Sequence, residues 1–269
     1  VVVILFVIFF LRQEEIEIVF VTGDIHGEPF PRLNTENFPE QKKLTKDDYV
    51  IICGDFGLAW DRDKESRMET WNLDELDKRS FTTLFCDGNH ENFDRLNAYP
   101  VEMWHGGRVH KIRPSVIHLM RGEVYDINGK KFFVFGGARS HDIRDGVLEV
   151  GDPRIHEWRH DYSKLFRINH VSWWKEEMPN ADEMAHGLES LAKVNYKVDY
   201  IVTHDMPTST LTLYYALCGE RPNVDALNEF LEEVRIKTDY KYWFCGHHHD
   251  NRNFNEKDRL VYEQIIRVL

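Results

Sequence analysis

Short apolar runs rich in Val, Ile, Phe and Tyr punctuate the chain, and each stops abruptly at glycine or a polar cluster. The run 16–22 stops at Gly23-Asp24, 49–53 at Gly54-Asp55, and 82–86 at Asp87-Gly88-Asn89-His90. The run 200–203 stops at His204-Asp205, and 240–245 at Gly246-His247. Length and β-branched or aromatic content predict buried strands that end in turns. Between them, 63–80, 183–194 and 224–236 space their apolar residues as helices do. In the last, Val224, Leu227, Phe230, Leu231 and Val234 fall on one stripe, with Asn223 as the expected N-cap after Pro222. The middle of the chain differs. Residues 116–120, 123–127 and 131–136 are short strand-like runs, the last two joined through Asn128-Gly129, a hairpin signal. Strands alternating with helices, then a meander, predict an α/β protein with a substantial antiparallel component.

Composition narrows this picture. The chain has 269 residues, 42% of them hydrophobic, enough to bury a large core. Residues 1–11 are all apolar but fall short of the roughly 20 that span a membrane. No basic segment precedes them and no small-residue cleavage site follows, so they read as a start-site artefact or an extra strand rather than an export signal. The expected division is an apolar N-terminal segment, 1–15, and a single domain, 16–269. The 4 cysteines form no C-x-x-C pair, which argues against a thiolate zinc site. Cys53, Cys86 and Cys245 end apolar runs and read as small core residues. A reducing cytoplasm, with no membrane partner, is the simpler expectation. The formal charge of -12 repels phosphate backbones at long range, so nucleic acid is an unlikely partner on this reading. A small phosphorylated or nucleotide-like substrate stays open, because bound cations reverse the local field.

The residues at the run ends carry the chemistry. In Asp24-Ile25-His26, positions i and i+2 point the same way in an extended chain, so carboxylate and imidazole can hold one ion. Asp55 ends its run beside a glycine, and its two oxygens can bridge two cations. In Gly88-Asn89-His90-Glu91, the amide oxygen suits a hard metal and the imidazole can donate a proton. His204 and Gly246-His247-His248-His249 add nitrogen donors. Each motif alone is commonplace in turns. Together, at the ends of separate strands, they can converge on one place.

These motifs, in this order, resemble the signature of the calcineurin-like metallophosphoesterase superfamily: D-x-H, G-D, G-N-H-[DE], H and G-H-x-H. The resemblance implies a β-sandwich of mixed sheets flanked by helices, four layers in all. It implies that Asp24, His26 and His249 bind one metal, that Asn89, His204 and His247 bind a second, and that Asp55 bridges both. His90 would bind no metal and stand by the leaving group, and His248 occupies a variable position. The activity implied is hydrolysis of a phosphomonoester or phosphodiester by in-line attack of a hydroxide shared by the metals. Nitrogen and oxygen donors without sulfur suit manganese, iron or zinc.

One departure matters. Protein serine/threonine phosphatases carry G-D-x-x-D-R-G, whereas this chain reads Gly54-Asp55-Phe56-Gly57-Leu58-Ala59-Trp60, without the second aspartate and the arginine. That weakens a protein-phosphatase reading. Arg139, Arg144 and His141 are candidates to contact a substrate phosphate, Glu91 to orient His90, and Trp173-Trp174 either to stack a base or to cap a core. Competing readings are a nuclease of the same superfamily and a scaffold without turnover; the complete ligand set counts against the scaffold.

Overall fold

A computed structural model describes residues 17–269; the apolar segment 1–15 lies outside them. The strands are β1 (Val19–Thr22), β2 (Tyr49–Ile52), β3 (Thr82–Phe85), β4 (Val101–Trp104) and β5 (Gly107–Arg113). They continue with β6 (Val116–Leu119), β7 (Glu123–Ile127), β8 (Lys130–Phe135), β9 (Gly146–Leu148) and β10 (Phe166–Ile168). The last are β11 (Tyr200–Thr203), β12 (Tyr242–Cys245), β13 (Arg252–Asn253), β14 (Asp258–Leu260) and β15 (Ile266–Arg267). One sheet has the order β15-β1-β2-β3-β6-β5-β4 and the other β13-β14-β12-β11-β8-β7, with β9 and β10 forming a small separate ribbon. The helices are α1 (Arg67–Asp77), α2 (Phe93–Leu96), α3 (Arg154–Trp158), α4 (Ala181–Lys193), α5 (Thr208–Cys218) and α6 (Ala226–Lys237).

Side-chain alternation turns these elements into four layers. Val19, Val21, Ile51 and Leu84 from one sheet meet Val134, Val202 and Phe244 from the other. The intervening residues face outward: Phe20, Val50, Ile52 and Phe85 pack on Leu73 and Leu76 of α1. On the opposite flank, Phe133, Phe135, Ile201 and Trp243 pack on Leu191 of α4 and on Leu227 and Leu231 of α6. Strands buried on both faces carry apolar residues at every position, which is why they read as unbroken runs. The mixed sheets flanked by helices match the expected sandwich.

The expected hairpin forms: Ile127 pairs with Lys130, and Asn128 (φ 52) and Gly129 (φ 70) both take the left-handed conformation of a tight two-residue turn. Cys53, Cys86 and Cys245 are buried as expected, and all 4 cysteines are free. The expected cap at Asn223 is corrected. Asp225 accepts hydrogen bonds from the Leu227 and Asn228 amides, and the Asn228 side chain returns the bond, so the helix starts two residues later. Helix α5 was not expected, since its Thr-Ser-Thr start resembles a strand; it follows Pro207 and stops at Gly219 (φ 77). Among the described residues no helix is long and apolar enough to cross a membrane.

Candidate metal centre

β1, β2 and β3 run parallel in one sheet, and β8, β11 and β12 run parallel in the other. Their C-terminal ends release the chemistry-bearing residues along one rim of the sandwich. Two glycines of the motifs are there for close approach. A Cβ on Gly54 would fall 2.2 Å from His204 Nδ1, and one on Gly88 would fall 2.1 Å from Asp55 Oδ1. The backbone turns sharply where it presents these groups: His26, Asp55, His247 and His249 all have positive φ, between 44° and 71°. Such conformations are costly for side chains with a Cβ and gather at functional sites.

Two groups of donor atoms result. Asp24, His26, Asp55 and His249 each offer an atom within 4.8 Å of the others, and so do Asp55, His204 and His247. Asp55 belongs to both. In the first group His26 Nε2 lies 2.8 Å from His249 Nε2 and 3.8 Å from Asp55 Oδ2, and His249 Nε2 lies 3.3 Å from Asp24 Oδ2. In the second, His204 Nε2 lies 3.2 Å from Asp55 Oδ1 and 3.3 Å from Asn89 Oδ1. The structure thus brings together all seven expected ligands. His90 stands beside them, its ring 4.9 Å from that of His26 and stacked on Trp60, while its backbone N–H donates to Asp55 Oδ1 at 2.8 Å.

The electrostatics call for positive charge. His204 Nδ1 lies 2.7 Å from the Cys53 carbonyl, which accepts its proton. A neutral His204 therefore points a bare Nε2 lone pair at two oxygens that also carry only lone pairs. Burial alone would depress the His204 imidazolium, yet Asp55 and Asp24 outweigh it and push its pKa up to about 10. Burial would raise the Asp55 carboxyl, but His204, His90 and His247 hold it far below the usual carboxylate range. Converging nitrogen and oxygen donors in a pocket that demands cationic charge fit divalent or transition metal ions.

Several expectations about neighbouring residues change. Glu91 does not reach His90. Its carboxylate accepts hydrogen bonds from the backbone of Phe56 (2.9 Å), Gly57 (3.0 Å) and Gly88 (3.3 Å), clamping the turn that carries Asp55. Trp174 is fully buried against the outer core, its indole donating to Asp94, so it caps a core. His141 reaches the second group, with Nε2 2.6 Å from His247 Nε2. Arg139 and Arg144 line a neighbouring cavity of about 410 Å³ and not the one beside His90. The arginine beside His90 is Arg167, which lines a cavity of about 360 Å³ with Tyr214 and Tyr215. His248 turns away to Asp205, 3.4 Å off. Sequence reasoning missed Arg32, whose guanidinium donates to the Gly23 and Asp24 carbonyls at 2.6 and 2.8 Å and holds the first loop in place. It also missed Arg167, and no motif marks either one.

The chain is similar to lariat debranching enzymes. It is 23% identical to lariat debranching enzyme A of Xenopus laevis over 261 residues, covering 86% of this chain and 42% of that protein. It is 22% identical to the enzyme of Drosophila pseudoobscura pseudoobscura over 271 residues, with the same 86% and 42% coverage. The Danio rerio enzyme is 23% identical over 201 residues, covering 70% of this chain and 31% of that protein. The chain spans less than half the length of these relatives. Lariats are branched RNA, so the expectation that nucleic acid is an unlikely partner is overturned. Net charge sums the whole surface and says nothing of the local field where cations could bind, so it is a poor ground for that expectation. The pattern that defines calcineurin-like phosphoesterases matches residues 18–251, and the chain belongs to that family.

Proposed function

We propose that this chain hydrolyses phosphodiester bonds in a nucleic acid, with branched RNA as the substrate class, at a centre of two metal ions. One observation carries the reading: two donor groups share Asp55, and His90 stands beside them. Asp24, His26, Asp55 and His249 would hold one ion, and Asp55, Asn89, His204 and His247 the other; manganese, iron and zinc all suit these donors. Such a pair supplies Lewis-acid polarisation of phosphate oxygens and water acidified towards neutral pH.

The chain's own residues do the rest. Burial lowers the His90 pKa against the pull of Asp55, which favours the neutral imidazole in the free site. An arriving phosphate adds negative charge and favours its protonated form, which can then give a proton to the leaving oxygen. Trp60, stacked on the ring, fixes its plane. Arg167 and His141, in the same cavity, are placed to bind phosphate oxygens. The centre is open on two sides. One cavity of about 830 Å³ reaches Asp24 and His26, and the other reaches Asn89, His90 and His247. A diester, with a substituent on each side of phosphorus, uses both openings, and a monoester uses one.

The test offers the metal-loaded protein a 2′,5′-branched RNA, a linear RNA, and aryl phosphate mono- and diesters. Branched RNA should turn over fastest. Asp55→Asn should lose both metal and turnover. His90→Asn should keep the metal and lose about 10²-fold or more in rate, less with a very good leaving group. Turnover confined to monoesters, or an Asp55→Asn variant with unchanged metal content and rate, refutes the proposal.

A further inference from the structure

Asn89 is the one amide among otherwise ionisable donors, and an amide has two different ends. Only its oxygen can face a cation. Rotating the group by half a turn would aim –NH₂ at His204. Something must therefore fix its orientation. Asn89 Nδ2 lies 3.3 Å from Ser140 Oγ, and Ser140 Oγ in turn lies 2.6 Å from Glu177 Oε2. The Ser140 backbone N–H donates to the other Glu177 oxygen at 2.9 Å. All three side chains are buried.

Protons decide the direction of each bond. A hydroxyl has one, and the Glu177 carboxylate, which can only accept, takes it. Ser140 Oγ then shows Asn89 lone pairs alone, so Asn89 must present its –NH₂ there and its oxygen on the far side. Glu177 itself is anchored at a distance. It lies in the 3₁₀ turn Lys175–Glu177, and the Glu176 carbonyl of that turn accepts from Arg121 at 2.8 Å. Arg121 also grips Asp87, two residues before Asn89. The turn and the Asn89 loop thus share one buried guanidinium.

We infer that Ser140 and Glu177 are positioning residues that set which end of the Asn89 amide faces the second donor group. The inference rests on the reading of Asn89 as a metal ligand. Manganese titrated into the metal-free full chain, followed by calorimetry and by its paramagnetic resonance signal, separates the two equivalents. Ser140→Ala should weaken one equivalent about tenfold or more and leave the other unchanged, the size expected for a group that orients a ligand. Glu177→Gln should do the same without touching Asn89: the glutamine oxygen goes to the Ser140 N–H, its –NH₂ faces Oγ, and the hydroxyl proton is released towards Asn89. Ser140→Thr keeps the hydroxyl and should restore both equivalents. In an Asn89→Asp background, where both ends are oxygen, Ser140→Ala should have no further effect. Equal loss of both equivalents in Ser140→Ala, no loss at all, or the same loss in the Asn89→Asp background overturns the inference alone. A wild-type chain that binds no second equivalent overturns the two-metal reading and this inference with it.

Discussion

Replacing Glu91 by alanine removes the acceptor for three backbone N–H groups, those of Phe56, Gly57 and Gly88, at 2.9, 3.0 and 3.3 Å. Glu91 is 0% exposed, so bulk water does not reach these donors in the native packing. A buried donor left without a partner costs about 1–3 kcal/mol, giving an upper range of about 3–9 kcal/mol for the three. Water entering the space left by the carboxylate recovers part of that, so a loss of about 3–5 kcal/mol is expected for the metal-loaded protein. Against a total of about 5–15 kcal/mol this is severe. The damage has a direction, because Phe56 and Gly57 directly follow Asp55, whose φ of 47° depends on that turn being held. Urea unfolding and metal content measured on the same preparation check both parts. A variant within about 1 kcal/mol of wild type that retains its full metal complement would show that the turn is held by something else.

Two further outcomes follow from buried charge. Burial and Asp55 push the Glu91 carboxyl up to about 8 in the absence of cations, so the folded metal-free chain keeps a proton that the unfolded chain has released. Its contribution to stability is therefore full in acid and declines as pH rises through the folded value, by at most about 1.4 kcal/mol per unit. Urea unfolding of chelator-treated protein across that window should show a shallower decline for Glu91→Gln than for wild type, and equal slopes refute the assignment. Arg121→Leu strands the buried Asp87 carboxylate, which Arg121 and His118 otherwise hold well below the usual range against its burial. A loss of about 3–5 kcal/mol is expected, with most of it recovered when Asp87→Asn is added. A double variant no more stable than Arg121→Leu alone would rule out charge as the cause.

What the sequence disclosed follows from geometry. The ligand-bearing strands were legible because they are buried on both faces and end where glycine permits close approach, as at Gly54 and Gly88. The same pattern could not disclose the work of Glu91, since its partners at Phe56 and Gly57 are distant in the chain and adjacent residues such as His90 and Glu91 point apart. Edge strand β4 escaped notice because Val101 and Met103 are exposed and no apolar run marks it. Helix α5, which brings Tyr214 and Tyr215 to the site cavity, begins with residues that favour strands and turns. Net charge is uninformative about nucleic acid for a different reason, because it averages over a surface of which the donor groups occupy only one rim.

Asp24, His26, Asp55 and Asn89 follow strands of one sheet, whereas His204, His247 and His249 follow strands of the other. Each donor group therefore draws on both sheets. An ion in either position would act as a staple across the rim of the sandwich, adding to polar links between the sheets elsewhere, such as the Tyr125 hydroxyl donating to the Arg108 carbonyl at 2.6 Å. Cofactor loading and mechanical integrity would then be one property. Without cations, Asp24 and Asp55 on one sheet would lose the charge that ties them to the histidines of the other, and the rim is where the two sheets should begin to part.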